Sequence, residues 1–265
     1  MIIKCTKDDE SRVLSYIGNS YPFCLYLYLD LLQYRMDSGI IDVYVQIEND
    51  TTVAVLLKYY SCLHVYSRTN DFVADELADF FVANHLTMLY STAKTAERVY
   101  SALIRKSGNR ATITKGWVAQ IEKVDHEAKG LATAADEQDF RQIIQLIYED
   151  EDIGRSYKLE ELSKQLEERN KQGYARNLVI KQNNLVIAHA CTNAELNGIA
   201  VVAELLVRKE YRKKGYASEI WREICSQLLS EGKEVYSFYY SNESRMLHKH
   251  IGFFEICEWA KVVIS

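Results

Sequence analysis

The segment from Val201 to Leu228 constrains the fold of this chain more than any other segment. An apolar strand, Val201–Val207, runs into a short charged turn, after which Gly215 and Ala217 open a helix. The apolar residues of that helix recur at helical spacing: Ile220, Trp221, Ile224, Cys225 and Leu228. The sequence therefore predicts a strand, a glycine turn and an amphipathic helix in direct succession.

This turn has the properties of an anion-binding site. The first N–H groups of a helix have no backbone acceptor and point outward. Gly215 has no side chain and Ala217 has a small one, so an anion can approach those amides closely. Arg212, Lys213 and Lys214 add positive charge at the same point. The predicted ligand is a phosphate or pyrophosphate, and the alternative is a solvated basic turn that binds nothing.

Two common phosphate motifs do not fit the turn, and a third does. The Walker motif needs a Gly-Lys-Ser/Thr ending and the dinucleotide fingerprint needs three glycines, whereas this turn has one glycine and no such ending. Arg212-x-x-Gly215-x-Ala217 resembles the acetyl-CoA loop of the GCN5-related N-acetyltransferase (GNAT) family. Residues 244–253, which end in Gly-Phe, resemble the family's closing helix and strand start. The order of elements between the two motifs is also the family's order.

The two halves of the chain repeat one order of elements. In the first half, strands are predicted at 2–6, 42–47, 52–66, 86–90 and 111–124, and helices from residue 8 and at 25–35, 70–84 and 95–106. In the second half, strands are predicted at 131–133, 178–181, 185–191, 199–207, 235–240 and 256–264, and helices at 139–149, 159–171, 216–228 and 244–250. We predict an α/β (α+β) fold in which two GNAT-like mixed sheets, flanked by helices, follow in tandem. The N-terminal domain would cover 1–125 and the C-terminal domain 126–265, although any alternating α/β chain can look periodic.

Composition narrows the class of protein and its location. A chain of 265 residues, 48% apolar, suffices for two packed cores. The net charge of −5 is evenly spread, so we expect no nucleic-acid partner. We expect no membrane association either, because the longest apolar run, residues 23–29, is too short to span a bilayer and no signal-peptide pattern is visible. The six isolated cysteines lack metal-ligand spacing, which favours a cytoplasmic protein without a metal. We expect a monomer or homodimer.

The resemblance implies which residues bind the cofactor. The loop Arg212–Ser218, which includes Lys213, Lys214, Gly215, Tyr216 and Ala217, would hold the pyrophosphate of acetyl-CoA. The backbone of Leu205, Leu206 and Val207, at a bulge near the end of the strand, would hold and polarise the thioester. Three alternatives stay open: these three residues only fill the core, Tyr211 and Tyr216 only pack, and the lysines only supply a general field.

The resemblance also suggests residues for proton transfer and for the pantetheine arm. The family often has a tyrosine acid four residues before the Gly of Gly-Phe, and here that residue is His248, whose imidazolium could donate a proton; the alternative is no role. The family's asparagine falls on Ser241, with Asn242 next to it; Asn242 would contact pantetheine or cap the following helix. Glu204 is the candidate base, and the alternatives are a bound water as base or a structural ion pair for Glu204.

The function implied is direct transfer of an acetyl group from acetyl-CoA to a primary amine of a small molecule or peptide. The alternative is a non-catalytic protein that binds or senses an acyl-CoA. A third reading, transfer of a longer acyl chain, depends on the room beyond Leu206. The N-terminal half offers only Arg68 in 67–71 and no glycine, so we expect it to bind no cofactor and to support the fold or wall the acceptor site.

Overall fold

The computed structural model describes residues 1–107, 111–150 and 159–264, and these residues form two compact units. Unit 1 contains Met1–Val118, Tyr239–Ser241 and the chain from Glu255 onward. Unit 2 contains Ala119–Phe238 and Asn242–Phe254.

The first half of the chain contributes six strands and four α-helices among the described residues. They are β1 (Ile2–Lys4), α1 (Glu10–Ile17), α2 (Leu25–Tyr34), β2 (Ile41–Glu48), β3 (Thr51–Tyr59), β4 (Cys62–Tyr66), α3 (Ala74–Ala83), β5 (Met88–Thr92), α4 (Ala93–Ser107) and β6 (Ala111–Ile121). The run 52–66, predicted as one arm of a hairpin, forms two strands instead. The chain reverses at Tyr60, which takes a left-handed φ of 51°, and Tyr59 then pairs with Cys62.

The second half repeats this order. Its elements are β7 (Thr133–Ala134), α5 (Phe140–Tyr148), α6 (Leu159–Lys171), β8 (Asn177–Gln182), β9 (Leu185–Leu196), β10 (Ile199–Val207), α7 (Tyr216–Ser230), β11 (Glu234–Tyr239), α8 (Asn242–Ile251) and β12 (Phe254–Ile264). Each half therefore runs strand, two helices, three strands, helix, strand, helix, strand. The predicted repeat of element order is confirmed.

Each unit contains one parallel strand pair joined by a helix. In unit 1 the strands lie in the order β1-β2-β3-β4-β5-β12, and β4 and β5 are parallel, joined through α3. In unit 2 the order is β11-β10-β9-β8-β7, and β10 and β11 are parallel, joined through α7. The last strand of the chain, β12, pairs with β5 through Trp259↔Thr92 and so belongs to unit 1. A single cut at residue 125 would assign β12 to the C-terminal domain.

Helices cover both faces of the sheet in unit 1. Along β3, Val55 and Leu57 pack on the side of α1 and α2, whereas Ala54 and Leu56 pack on the side of α3 and α4. This alternation is the period of two that a strand buried on both faces requires.

In unit 2, α5 and α6 pack against a cluster on β8, β9 and β10 that includes Val179, Val186 and Leu206. Helix α7 buries the predicted stripe of Ile220, Trp221, Ile224, Cys225 and Leu228. The amphipathic helix predicted from the sequence is therefore confirmed, and its buried face fixes where its N-terminus lies.

In the described ranges, no helix combines the length and the apolarity that crossing a membrane requires. None of the six cysteines is part of a disulfide.

Candidate functional site

Helix α7 begins at the predicted glycine and leaves its first amides open. Gly215 is the N-cap with a φ of 87°, a left-handed conformation that glycine adopts without steric penalty. Its carbonyl accepts the N–H of Glu219 at 3.0 Å, so the N–H groups of residues 216–218 have no acceptor within the helix. A Cβ built on Gly215 would meet no atom within 4 Å, so the space in front of the loop is open.

Arg212 is the anchored cation of this loop. Its Nε donates to the Val207 carbonyl at 2.9 Å, and its Nη2 lies 3.6 Å from the Asp150 carboxylate. The guanidinium is therefore held between the end of β10 and the end of α5. A fixed guanidinium can offer further N–H groups to a phosphate in a defined geometry.

The other predicted loop residues are held more loosely. Lys214 donates from Nζ to the Glu210 carbonyl at 3.0 Å, and the same ammonium lies 5.1 Å from the centre of the Tyr211 ring. Lys213 is exposed and has a φ of 60°. Tyr216 places its ring 6.4 Å from that of Tyr211, which fits the packing role that the sequence left open.

Strand β10 contains a β-bulge at the predicted place. Ala203 pairs with Cys191 and Leu206 pairs with His189, so Glu204 and Leu205 together face a single residue of β9. Glu204 adopts a φ of 51°, which is uncommon for a residue with a side chain. A bulge takes its extra residue out of the hydrogen-bonded ladder, so backbone groups near Leu205 can serve a ligand.

The bulge lies just past the point where β10 and β11 stop pairing. Their parallel register runs from Ile199↔Glu234 to Val202↔Ser237, and the remaining residues of β10 extend beyond it. On the same stretch of β10, a cavity of about 310 Å³ is lined by Leu206, Val207, Arg212 and the C-terminal end of α5, including Asp150. Strand end, cavity and α7 loop are thus contiguous.

His248 is buried and hydrogen-bonded on both ring nitrogens. Its Nδ1 lies 2.7 Å from the Ser244 carbonyl, which can only accept, so Nδ1 carries the proton. Its Nε2 lies 2.8 Å from Ser237 Oγ and therefore accepts a hydrogen bond from the Ser237 hydroxyl. Burial lowers the pKa of His248 to about 4. The imidazole is therefore neutral at pH 7 and has no proton to donate from Nε2, which favours the structural alternative for this residue.

The positions of Glu204 and Asn242 bear on the roles suggested for them. The Glu204 carboxylate accepts a hydrogen bond from the Cys191 thiol at 3.4 Å. Asn242 is the first residue of α8, so Ser241 and not Asn242 stands at the N-cap position. Asn242 is exposed, and the helix-cap alternative for it is not supported.

Comparison with known proteins assigns a domain type to part of the chain. The sequence model of the acetyltransferase (GNAT) family matches residues 138–253. The matched segment is an acyltransferase domain of the GNAT type, and the family model does not extend over the remaining residues. No curated protein sequence matches the chain.

Solved structures extend the GNAT likeness over the whole chain. A GNAT acetyltransferase from Colwellia psychrerythraea matches with a TM-score of 0.62 and 12% identity, covering 100% of both chains. A GCN5-related N-acetyltransferase from Sphaerobacter thermophilus matches with a TM-score of 0.65 and 16% identity, covering 99% of this chain and 94% of its own. A tandem GNAT protein from the clavulanic acid biosynthesis pathway matches with a TM-score of 0.58 and 10% identity, over 100% of this chain and 98% of its own. The predicted GNAT-like α/β fold is confirmed.

Unit 1 lacks the GNAT loop geometry at the equivalent position. The Val73 N–H, at the start of α3, already donates to Gln46 Oε1 at 2.9 Å. The first turn of α3 carries Asp75 and Glu76, which would repel an anion. The guanidinium of Arg98 lies 4.4 Å from the Phe72 ring centre and donates to the Phe72 carbonyl at 3.0 Å.

Arg68, the one cation that the sequence offered in that segment, turns away to Tyr16. Its guanidinium stacks 5.2 Å from the centre of the Tyr16 ring and donates to the Tyr16 carbonyl. These contacts support the expectation that the N-terminal half binds no cofactor, which stays a prediction.

Sequence reasoning missed Asp150, Ser237 and His189. Asp150 holds the loop arginine, and Ser237 pairs with His248 where β10 and β11 separate. His189 is fully buried opposite the bulge. No local pattern marks these residues, because their partners come from other elements of the fold.

In the described part of the chain, no group of three His, Cys, Asp or Glu side chains lies close enough to hold a metal ion.

Proposed function

We propose that the GNAT domain transfers an acetyl group from acetyl-CoA to a primary amine of a small molecule or peptide. One observation carries the proposal. The β10 bulge at Glu204 and the open amides behind Gly215 lie at the two ends of one segment of unit 2, residues 206–212, which lines the cavity. A donor that is both a diphosphate and a thioester needs an anion site and a carbonyl-polarising site at a distance from each other. Acetyl-CoA is such a donor.

The diphosphate would lie on the amides of Tyr216, Ala217 and Ser218, with Arg212 as the fixed charge and Lys213 and Lys214 at the rim. Each of these amides lacks an intrahelical acceptor, and the helix N-terminus adds a partial positive charge. No main-chain movement is needed for an anion to reach them, since the space at Gly215 is open.

The thioester would lie at the bulge, with its carbonyl oxygen toward the N–H groups of Leu205, Leu206 and Val207. When an amine attacks a thioester, negative charge develops on that oxygen, and fixed N–H donors stabilise it. The same strand edge, beyond the last β10–β11 pair at Val202↔Ser237, has main-chain groups that the amides of a pantetheine arm could pair with. Asn242 would stand near that arm as a further polar contact.

We propose Glu204 as the group that takes the proton from the amine. It is partly buried in the bulge, next to the proposed place of the thioester, and its carboxylate accepts a hydrogen bond from the Cys191 thiol. His248 is neutral near pH 7 and would act by packing against Trp221, whose ring centre lies 5.4 Å away. We place the activity in the cytoplasm, since all six cysteines are unbridged. We expect a monomer or homodimer with no nucleic-acid partner.

Two glycine variants test this function. Gly215→Ala and Gly198→Ala both add a Cβ at a left-handed position, with φ of 87° and 79° respectively, and neither Cβ meets an atom within 4 Å. Both should therefore lose about 1–2 kcal/mol of stability from backbone strain. Only the Cβ at 215 enters the space through which a phosphate reaches the α7 amides. We expect Gly215→Ala to weaken acetyl-CoA binding at least tenfold in calorimetry, and Gly198→Ala to leave it unchanged.

Turnover is measured on the parent chain as thiol release from acetyl-CoA with a panel of amines. Amine-dependent thiol release is expected. Binding without any amine-dependent release would instead support the acyl-CoA sensor. No heat on titration of the parent with acetyl-CoA would remove the basis of the proposal, and faster release from longer acyl-CoAs would support the third reading.

A further inference from the structure

A partly buried arginine on α7 is held by a neutral ring of α8. Arg222 Nη2 lies 3.0 Å from His250 Nε2. A guanidinium only donates, so Nε2 accepts and has no proton of its own. The Nε of Arg222 is buried and has no hydrogen-bond partner among the described residues. The contact with His250 therefore fixes the guanidinium in place without compensating its positive charge, which suits an anionic ligand.

Arg222 lies one helical turn from the proposed diphosphate site. Ser218, whose N–H is one of the three open amides at the start of α7, stands four residues before Arg222, so the two residues share a face of the helix. Both are partly exposed. The rise between them is about 6 Å. A ligand whose anion binds the α7 amides can therefore bring a second anionic group to Arg222.

Coenzyme A has such a second group. Its nucleotide end has a 3′-phosphate on the ribose, and this one sugar separates the 3′-phosphate from the diphosphate. In the proposed function, the pantetheine arm runs from the diphosphate toward the bulge at Glu204, which precedes the loop in the chain. The nucleotide end leaves the diphosphate in the other direction, where α7 follows the loop.

We propose that Arg222, held by His250, binds the 3′-phosphate of coenzyme A and makes the site selective for donors that have this phosphate. The inference rests on the proposed function, which places the diphosphate on the α7 amides. A guanidinium can donate two parallel hydrogen bonds to one phosphate, which an ammonium cannot. Because His250 already restrains the side chain, Arg222 loses less freedom when the phosphate binds.

Acetyl-CoA and 3′-dephospho-acetyl-CoA differ in this one phosphate, so their affinities isolate its contribution. We expect calorimetry to show that the parent binds acetyl-CoA at least about fivefold more tightly than the dephospho donor. In Arg222→Gln the two affinities should agree within about twofold, because the charge that distinguishes the donors is gone. Arg222→Lys keeps the charge without the planar fork and should retain part of the preference. The matched control is Arg141→Gln, an exposed arginine of α5, which should keep the parent's ratio.

A purely structural arginine would give another result. If Arg222 only tied α7 to α8, Arg222→Gln would lower the melting temperature and weaken both donors alike, and an unchanged affinity ratio would overturn the inference. Equal affinity of the parent for the two donors would also overturn it. An equal loss of preference in Arg141→Gln would do the same, since it would assign the effect to the general field of the protein. At saturating acetyl-CoA, kcat of Arg222→Gln should stay within about threefold of the parent, because Arg222 would contact only the nucleotide end.

Failure of the proposed function has its own signature. A parent that binds neither donor would refute both the function and this inference. A parent that prefers acetyl-CoA through Arg222, yet releases no thiol with any amine, would support the acyl-CoA sensor and leave this inference standing. Amine-dependent thiol release with equal affinity for the two donors would support the function and refute this inference alone.

Discussion

Three buried histidines show how burial sets the chemistry of single residues in this protein. Burial lowers the pKa of His64 to about 4, of His189 to about 3 and of His248 to about 4. Each is neutral at pH 7. For His248, neutrality and the Ser237 hydroxyl at Nε2 argue against the imidazolium acid that the sequence suggested.

These histidines should make the protein less stable in mild acid. In the unfolded chain a histidine titrates near 6.5, whereas in the folded chain these three titrate near 3–4. Between those values the unfolded state binds more protons, so the free energy of unfolding falls as the pH falls, by up to about 1.4 kcal/mol per pH unit for each histidine. Above pH 6.5 they contribute no pH dependence. Urea unfolding at pH 7.5, 6.0 and 5.0 measures the slope.

His248→Gln should reduce the slope of the unfolding free energy against pH, because unfolding then takes up about one proton fewer. This holds whatever the substitution does to stability at pH 7.5. The matched control for replacing a histidine by glutamine is the exposed His126, changed to Gln. A slope that His248→Gln does not alter would mean that His248 titrates alike in the folded and unfolded chains.

Residues with a local conformational requirement could be predicted from the sequence, and residues with distant partners could not. Gly215 was predicted because only a residue without a side chain suits both the turn and a close anion. Gly252 of the Gly-Phe motif has a similar reason, since a Cβ there would lie 2.6 Å from the Lys123 carbonyl. His189 was missed because one histidine in the run 185–191 reads as part of an apolar strand. Its partner Asn177 is placed beside it only by the register of β8 and β9.

At the scale of elements, a cluster of four charged residues ties β8, β9 and α7 together. Arg176, next to β8, binds Glu195 of β9 at 2.6 Å and Glu231, the C-cap of α7, at 2.7 Å. Lys233 contacts both carboxylates. Hydrogen bonds from Arg176 and Lys233 lower the pKa of Glu231 to about 2. Burial alone would raise the pKa of Glu195, but the hydrogen bonds from Arg176 and Lys233 outweigh it and lower that pKa.

Glu195→Gln should destabilise the protein by about 2–3 kcal/mol, because it leaves two cations with half of their negative partners. The Glu195 side chain is only 8% exposed, so water cannot replace the lost carboxylate. The control is Glu168→Gln on α6, whose side chain is 55% exposed and lies 3.9 Å from Lys164. Its effect should stay within about 0.5 kcal/mol. Urea unfolding compares the two, and equal effects would show that the cluster adds nothing beyond a surface ion pair.

The sequence predicts where an element begins and ends when burial and periodicity agree. It does not predict which strands pair with each other. The predicted strand 199–207 is β10 residue for residue, because it is apolar except for Glu204 and bounded by a turn and a charged segment. β12 was predicted as the last strand of the C-terminal domain. Its pattern shows that it is half-buried, but a hydrophobic period does not specify which strand lies beside it. The structure pairs it with β5.

For the whole molecule, β12 makes the stability of unit 1 depend on the C-terminal end of the chain. Ala260 and Val262 of β12 are fully buried in the cluster of unit 1 that also contains Leu63, Leu89 and Ala96. A charge at Ala260 would be buried among these side chains without a partner, at a cost of several kcal/mol. Ala260→Asp should therefore disrupt unit 1 first, although residue 260 lies far along the chain from β4 and β5.

Hydrogen exchange followed by mass spectrometry tests whether the stability of unit 1 depends on β12. In Ala260→Asp we expect amides of β4 and β5 to lose protection while amides of β8, β9 and β10 keep it. Ala200→Asp, at an equally buried position in β10, is the matched variant and should give the reverse pattern. If the first half of the chain formed its core without β12, Ala260→Asp would instead leave β4 and β5 protected. Retained acetyl-CoA binding in Ala260→Asp and its loss in Ala200→Asp would further place the donor site in unit 2 alone.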